Sequence, residues 1–233
     1  MLIFIPVRLA ATRLPQKPIL DVKGLPMMIQ VGLRAKESNV GEVVFACGDQ
    51  ELVDLAAKHG FKAVLTDPSL PTGTDRVHAA YQALNSKDKH ILNVQGDMPF
   101  ISGKTIAETA KVLERSDADM ATAASIIDKG DSEHTLNSSV AKVVLSKNNR
   151  ALYFSRTPYL PHGIGDYYHH LGIYGYKADA LKKFVSLPQS PLEKRENLEQ
   201  LRALENDMTI DVAIVNDFPQ SVDTPEDLVK VNQ

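Results

Sequence analysis

The chain has 233 residues, 43% apolar and 24% charged, with a formal charge of −3. That length can bury a core without staples, and the acidic balance excludes a global basic field for nucleic acid or a membrane surface. The one cysteine, Cys47, makes an intrachain disulfide impossible, and no run approaches the roughly 20 apolar residues of a membrane helix, so the expected location is a reducing cytoplasm.

The first half alternates short apolar runs with helical patterns. Leu2–Val7 reads as a strand, Met27–Lys36 as a helix, Glu42–Cys47 as a strand and Leu52–His59 as a helix stopped by Gly60. Lys62–Thr66, Thr74–Leu84, His90–Val94 and Thr105–Arg115 continue the alternation as strand, helix, strand, helix. Repetition of this kind predicts a parallel sheet covered on both faces, with ligands bound beyond the carboxyl ends of the strands. After about Asp119 the pattern changes. Met120–Ile127, Val140–Leu145, Ala151–Phe154 and His170–Tyr176 read as strands without long helices between them. Ser190–Asn206 reads as one long helix, with Ser190 as N-cap and Pro191 in the first turn. Ile210–Val215 returns to strand, and Thr224–Val231 is a short capped helix. The expectation is a single α/β domain, a sandwich with a small antiparallel excursion. The pattern divides it at about 118–119 into two halves, about 1–118 and about 119–233.

Three cations, Arg8, Arg13 and Lys17, fall within ten residues after the first strand, in a loop stiffened by the two flanking prolines, Pro6 and Pro18. A triphosphate needs cations converging from several directions, with arginine supplying forked donors and lysine a point charge. The same composition also describes a solvated basic loop. Two aspartates tilt that balance. Asp97 follows the fourth strand in Asn93-Val94-Gln95-Gly96-Asp97, where Gly96 permits a sharp turn. Asp223 precedes the last helix, where it could equally serve as an N-terminal helix partner. Magnesium favours a few carboxylates completed by phosphates and water.

Together these segments resemble the 3-deoxy-manno-octulosonate (Kdo) cytidylyltransferases, or CMP-Kdo synthetases. The resemblance runs nearly end to end through Ile5–Pro18, Thr72-Gly73-Thr74-Asp75-Arg76, Asn93–Pro99, Ala151–Arg156, His170–Tyr176, Ser190–Arg202 and Val222–Leu228. It implies a nucleotide-diphospho-sugar-transferase-like α/β sandwich, usually a homodimer, that moves CMP from CTP to Kdo for lipopolysaccharide synthesis with Mg2+ as cofactor, with about 1–118 as the nucleotide-binding half and about 119–233 as the acceptor-binding and dimerisation half. It assigns Arg8, Arg13 and Lys17 to the CTP phosphates, Thr74 and Arg76 to the cytidine side, and Asp97 and Asp223 to the metal. Gln95, Arg156, His170, Tyr174, Glu199 and Gln200 would surround the sugar acid. His170 and Tyr174, four apart on one strand, would face the same side.

The chain departs from the family pattern at several places. Ala11 and Gln16 stand where glycines are usual, Cys47-Gly48-Asp49 replaces Thr-Asp-Asp, Met98 replaces an acid, and the stretch 157–169 is short. These departures leave open a related acidic sugar as acceptor, such as 8-amino-Kdo or a sialic acid, and a non-catalytic nucleotide-binding relative.

Overall fold

The computed structural model describes residues 1–10, 14–128, 131–157 and 166–233. In chain order the elements are β1 (Leu2–Val7), a 3-10 turn at Lys17–Ile19, β2 (Asp21–Val22), β3 (Leu25–Pro26), α1 (Met27–Glu37), β4 (Glu42–Cys47), α2 (Gln50–Lys58), β5 (Lys62–Leu65), α3 (Gly73–Ala83), β6 (His90–Asn93) and α4 (Gly103–Arg115). They continue with β7 (Met120–Ile127), α5 (Ser132–Leu136), β8 (Lys142–Leu145), β9 (Ala151–Ser155), β10 (Tyr167–Lys177), α6 (Ala178–Ser186), α7 (Pro191–Glu196), α8 (Leu201–Leu204), β11 (Ile210–Val215) and α9 (Pro225–Asn232). The chain divides into two compact units, one of Met1–Ala107 with Pro219–Gln233 and the other of Glu108–Phe218.

In the first unit four strands run parallel in the order β6-β1-β4-β5, with Ile3 opposite both Leu92 and Val43. Their sequences are continuous apolar runs rather than alternating ones because the central strands are buried on both faces, as in Ile3, Phe4 and Ile5 or Val44, Phe45 and Ala46. All four carboxyl ends therefore lie at one edge, and the segments after Val7, Cys47, Leu65 and Asn93 follow from it. A separate apolar cluster of Leu14, Val22, Met27, Val222 and Val231 joins the loop after β1 to α9.

In the second unit β7 lies between β10, antiparallel, and β11, parallel, and β10-β8-β9 continue antiparallel. The expected helix Ser190–Asn206 is broken in two. Asn197 adopts a left-handed conformation, φ 54°, ψ 48°, and ends α7; α8 begins at Leu201. Across the break Arg202 Nη2 donates to Glu193 Oε1 at 2.5 Å and Arg202 Nε to Glu193 Oε2 at 2.8 Å, with both side chains buried. This buried pair and the apolar anchors Leu198 and Leu201 outweigh helix propensity. The helices α5 and α6, the Lys17–Ile19 turn and the β2–β3 hairpin carried no signal read from the sequence. Among the described residues no helix is long and apolar enough to cross a membrane.

Candidate active site

The loop after β1 is fixed at both ends. Leu9 N donates to Asp49 Oδ2 at 2.9 Å, and Gln16 N donates to Leu9 O at 3.3 Å. Gln16 takes the left-handed conformation, φ 57°, that the usual glycine would take freely. The chain then enters the short turn Lys17–Ile19, which aims Lys17 inward.

Lys17 Nζ donates to Asp97 Oδ2 at 2.9 Å and to Asp223 Oδ1 at 3.0 Å. The ammonium is thus seated between two carboxylates that lie 80 and 206 positions away in sequence. Its side chain is 14% exposed, and those of Asp97 and Asp223 are 32% and 31% exposed. Asp97 is placed by the turn after β6: a Cβ on Gly96 would meet Val7 Cγ1 at 2.8 Å and Pro6 O at 2.9 Å, so only glycine lets this turn lie against β1. Asp223 is tied in by Val222 N, which donates to Asp97 O at 3.0 Å. The helix-capping role open to Asp223 is taken by Thr224 and Asp227, which form a capping box; Asp227 Oδ2 accepts from the main-chain N–H of both Asp223 and Thr224. That leaves the Asp223 carboxylate directed at Lys17.

These three residues help line a cavity of about 340 Å3 together with Arg8, Ala10, Leu14, Gln95 and Gly96. A second cavity of about 120 Å3 shares Pro6, Val7, Arg8 and Gln95 with it and adds Thr72, Gly73 and Arg76. Arg76 is 2% exposed and spends its donors on the loop after β5: Nη1 reaches Thr66 Oγ1 at 2.6 Å and Asp67 O at 3.1 Å. Burial first, and then the charge of Arg8, lower its pKa. Gly48 makes room for this guanidinium, since a Cβ there would stand 2.9 Å from Nη1. Thr74 is buried and accepts from Asn93 Nδ2 at 3.3 Å; its neighbours Thr72 and Gly73 line the small cavity instead. Arg13 lies outside the described residues, as does Ala11. Met98 is 5% exposed, and its thioether fills a core position.

In the second unit three of the expected acceptor residues meet each other. Tyr174 OH donates to Gln200 Oε1 at 2.9 Å, Gln200 Nε2 lies 3.4 Å from His170 Nδ1, and His170 Nε2 lies 2.9 Å from Thr122 Oγ1. Thr122 donates its own hydroxyl hydrogen to Ile173 O at 2.6 Å. Thr122 must then accept from His170, which assigns the proton to Nε2 and makes Nδ1 the acceptor for Gln200. Burial above all, then the charges of His169 and Arg156, push the His170 pKa down to about 3, so the ring is neutral. His170 and Tyr174 do share a side, but through a bulge with Gly172 at φ +69° rather than by simple alternation. Glu199, in the turn between α7 and α8, adds to burial in raising the Tyr174 pKa. Arg156 lies beyond β9 and donates Nη1 to Ser139 O at 2.9 Å. Thr122 carried no sequence signal, whereas Thr224 and Asp227 had the capping-box spacing.

Oxygen donors flanking a cation suit a hard divalent ion, and the Lys17 ammonium already fills that place between Asp97 and Asp223. No cluster of three or more His, Cys, Asp or Glu among the described residues could hold a metal alone, so one bound here would share its shell with an anion.

The cytidylyltransferase family profile matches residues 2–210. A 3-deoxy-manno-octulosonate cytidylyltransferase of Parvibaculum lavamentivorans is 48% identical over 98% of this chain and 90% of that protein. One of Rhizobium etli is 44% identical over 100% of this chain and 94% of its own. Among solved structures, a CMP:2-keto-3-deoxy-manno-octonic acid synthetase complexed with CTP superposes with a TM-score of 0.91 at 33% identity, covering 99% of this chain and 96% of that one. The α/β nucleotidyltransferase-like fold expected from the sequence is the fold of that match.

Proposed function

The chain belongs to the 3-deoxy-manno-octulosonate cytidylyltransferases, and from that membership we propose that it transfers CMP from CTP to the anomeric hydroxyl of Kdo, giving CMP-Kdo and pyrophosphate. The observation that carries the residue assignment is the Lys17 ammonium between Asp97 and Asp223 in a cavity that also holds Arg8.

In this reading the anomeric oxygen of Kdo attacks the α-phosphorus of CTP in line, the bond to the β-phosphate bridge breaks, and the hydroxyl proton is released. Arg8 and Lys17, with Arg13, neutralise the phosphates and the departing pyrophosphate. Asp97 and Asp223 would hold magnesium, which supplies Lewis-acid stabilisation of phosphoryl oxygens. Lys17 then gives up its two carboxylate partners and turns its charge to the nucleotide. Gln95, shared by both cavities, and Arg76, which braces the loop after β5, shape the nucleotide side. Thr74 acts from beneath, through Asn93. The acceptor is taken up by Arg156, Glu199 and the linked group His170, Tyr174 and Gln200. The first unit serves the nucleotide and the second the sugar acid. No covalent intermediate is needed, and burial pushes the Cys47 thiol up to about 12, which keeps it protonated.

We assign the enzyme to the cytoplasm and to a homodimer built on the second unit. Five of the eight large apolar side chains exposed among the described residues belong to it: Ile126, Leu136, Val144, Leu152 and Phe218.

The test is pyrophosphate release from CTP and magnesium with Kdo, 8-amino-Kdo, sialic acid or no acceptor. Release with Kdo in preference to the others is the expected result. Preference for another sugar reassigns the acceptor, and silence from folded protein that binds CTP makes the chain a non-catalytic relative.

A further inference from the structure

A pocket in the second unit is bordered by Ser138, Tyr153, Ser155, Arg156, Arg195 and Glu196, and one carboxylate ties its wall together. Glu196 is the last residue of α7. Its Oε2 accepts from the main-chain N–H of Arg156 at 2.9 Å and from Ser155 Oγ at 3.2 Å. Its Oε1 accepts from Tyr153 OH at 3.3 Å and lies 3.5 Å from Arg195 Nε. The side chain is 11% exposed. Burial works to raise its pKa, but the donors of Arg156, Ser155 and Tyr153, helped by the charge of Arg195, prevail and hold it below the ordinary value. It is a fixed negative charge at neutral pH.

That charge is spent on the main chain of Arg156 and not on its guanidinium. Among the described residues Arg156 Nη1 donates only to neutral carbonyls, Ser139 O at 2.9 Å and Ser138 O at 3.4 Å. Its Nε–H is buried and has no partner among the described residues. Lys142, fully buried, likewise gives its ammonium to the carbonyl of Asn137. Burial, and then the charge of Arg156, lower the Lys142 pKa, so the two cations feel each other with no carboxylate among the described residues bonded to either. A buried donor without a partner is costly, and an anionic ligand on the guanidinium would offset that cost. The guanidinium is therefore held in place while its charge stays available.

We propose that Glu196 is a positioning residue for the acidic acceptor: it fixes the end of β9 through the Arg156 main chain so that the guanidinium meets the sugar carboxylate. This rests on the assignment of Arg156 to the acceptor. A carboxylate on the guanidinium itself would compete with the substrate; one on the main-chain N–H orients without competing. Rates depend steeply on such placement, since displacement of a binding group by about 1 Å can cost up to 100-fold.

The experiment is steady-state kinetics of the full chain with Kdo and CTP varied separately, beside melting temperatures. Glu196→Ala is expected to raise the KM for Kdo about tenfold while the KM for CTP stays within about twofold. Glu196→Gln, which keeps an oxygen for Arg156 N and Ser155 Oγ, recovers most of that loss. Glu196→Ala added to Arg156→Ala costs less than Glu196→Ala alone, because the two act as one unit. If Arg156→Ala leaves the KM for Kdo unchanged, the assignment of Arg156 falls, and the proposal with it. If Arg156→Ala raises that KM but Glu196→Ala does not, or if it raises both KM values equally, the proposal alone is overturned. Should Glu196→Ala fail to fold, Glu196→Asp carries the same test, because it draws the carboxylate back by one methylene. A rise confined to the KM for Kdo supports the proposal, and parental KM values overturn it.

Discussion

Lys17 shows how much a single side chain is asked to do. Unloaded, it is the counterion that keeps Asp97 and Asp223 together. Lys17→Met should leave two carboxylates facing one another without a cation, and it removes a charge from the proposed phosphate site. Turnover is expected to fall about 100-fold or more, the scale of losing one preorganised electrostatic group, and a coupled pyrophosphate assay would show it. Asp97→Asn should abolish turnover and keep the parental melting curve; normal activity would remove Asp97 from the metal site. Gln16 makes the opposite kind of prediction. Its left-handed φ of 57° costs a side-chain-bearing residue about 1–2 kcal/mol. Part of that relief is offset by the freer unfolded chain. Gln16→Gly should therefore raise stability in urea by up to about 1 kcal/mol, and a loss of stability would refute the strain argument.

At the scale of elements, the α/β alternation of the first unit was legible because parallel strands are apolar without interruption and their helices are capped or stopped by marked residues. Leu2–Val7, Glu42–Cys47, Met120–Ile127 and Ile210–Val215 are the strands expected. The helix Ser190–Asn206 was not legible as two pieces. Leu198, Leu201 and Leu204 mimic one apolar stripe, while the break depends on Glu193 meeting Arg202, a pairing set by tertiary structure. The helix α6 escaped notice because Lys177, its N-cap residue, offers no side-chain cap. Among candidate site residues, Lys17, Asp97 and Asp223 stood out in the sequence as charged loop positions, and the structure brings these three together. The burial of Thr74 and the part of Thr122 were not legible, since a threonine at a strand or helix start has many ordinary reasons to be there. The turn at Gly96 offers a test at this scale. Gly96→Ala must push Val7 or the main chain of Pro6, at a cost of about 1–3 kcal/mol. Asp97 would move with it, so stability and turnover should fall together.

For the whole molecule, the buried imidazoles set a pH dependence. In the unfolded chain they accept protons near 6.5. In the folded chain burial holds His169 to about 4 and His170 to about 3. Unfolding therefore takes up protons at these two residues, between about pH 6.5 and 4 for His169 and down to about 3 for His170, and their contribution to stability, full above 6.5, is lost as pH falls through that window. Urea titrations at pH 7, 6 and 5 should show the decline, and His170→Gln should make it shallower; equal slopes would rule His170 out. Assembly is testable as well. Leu152→Lys should shift light scattering from dimer to monomer, and a parent that is already monomeric would exclude the interface. The pairing of Lys17 with Asp223 spans 206 positions of sequence. Closing so long a loop is a slow, entropically late event. On the ribosome, the basic loop after β1 must emerge and wait while most of the polypeptide is still being made. On the proposed role of Asp223, a nascent chain is catalytically silent until synthesis has passed it, and activity regained on refolding should lag behind recovery of helical signal.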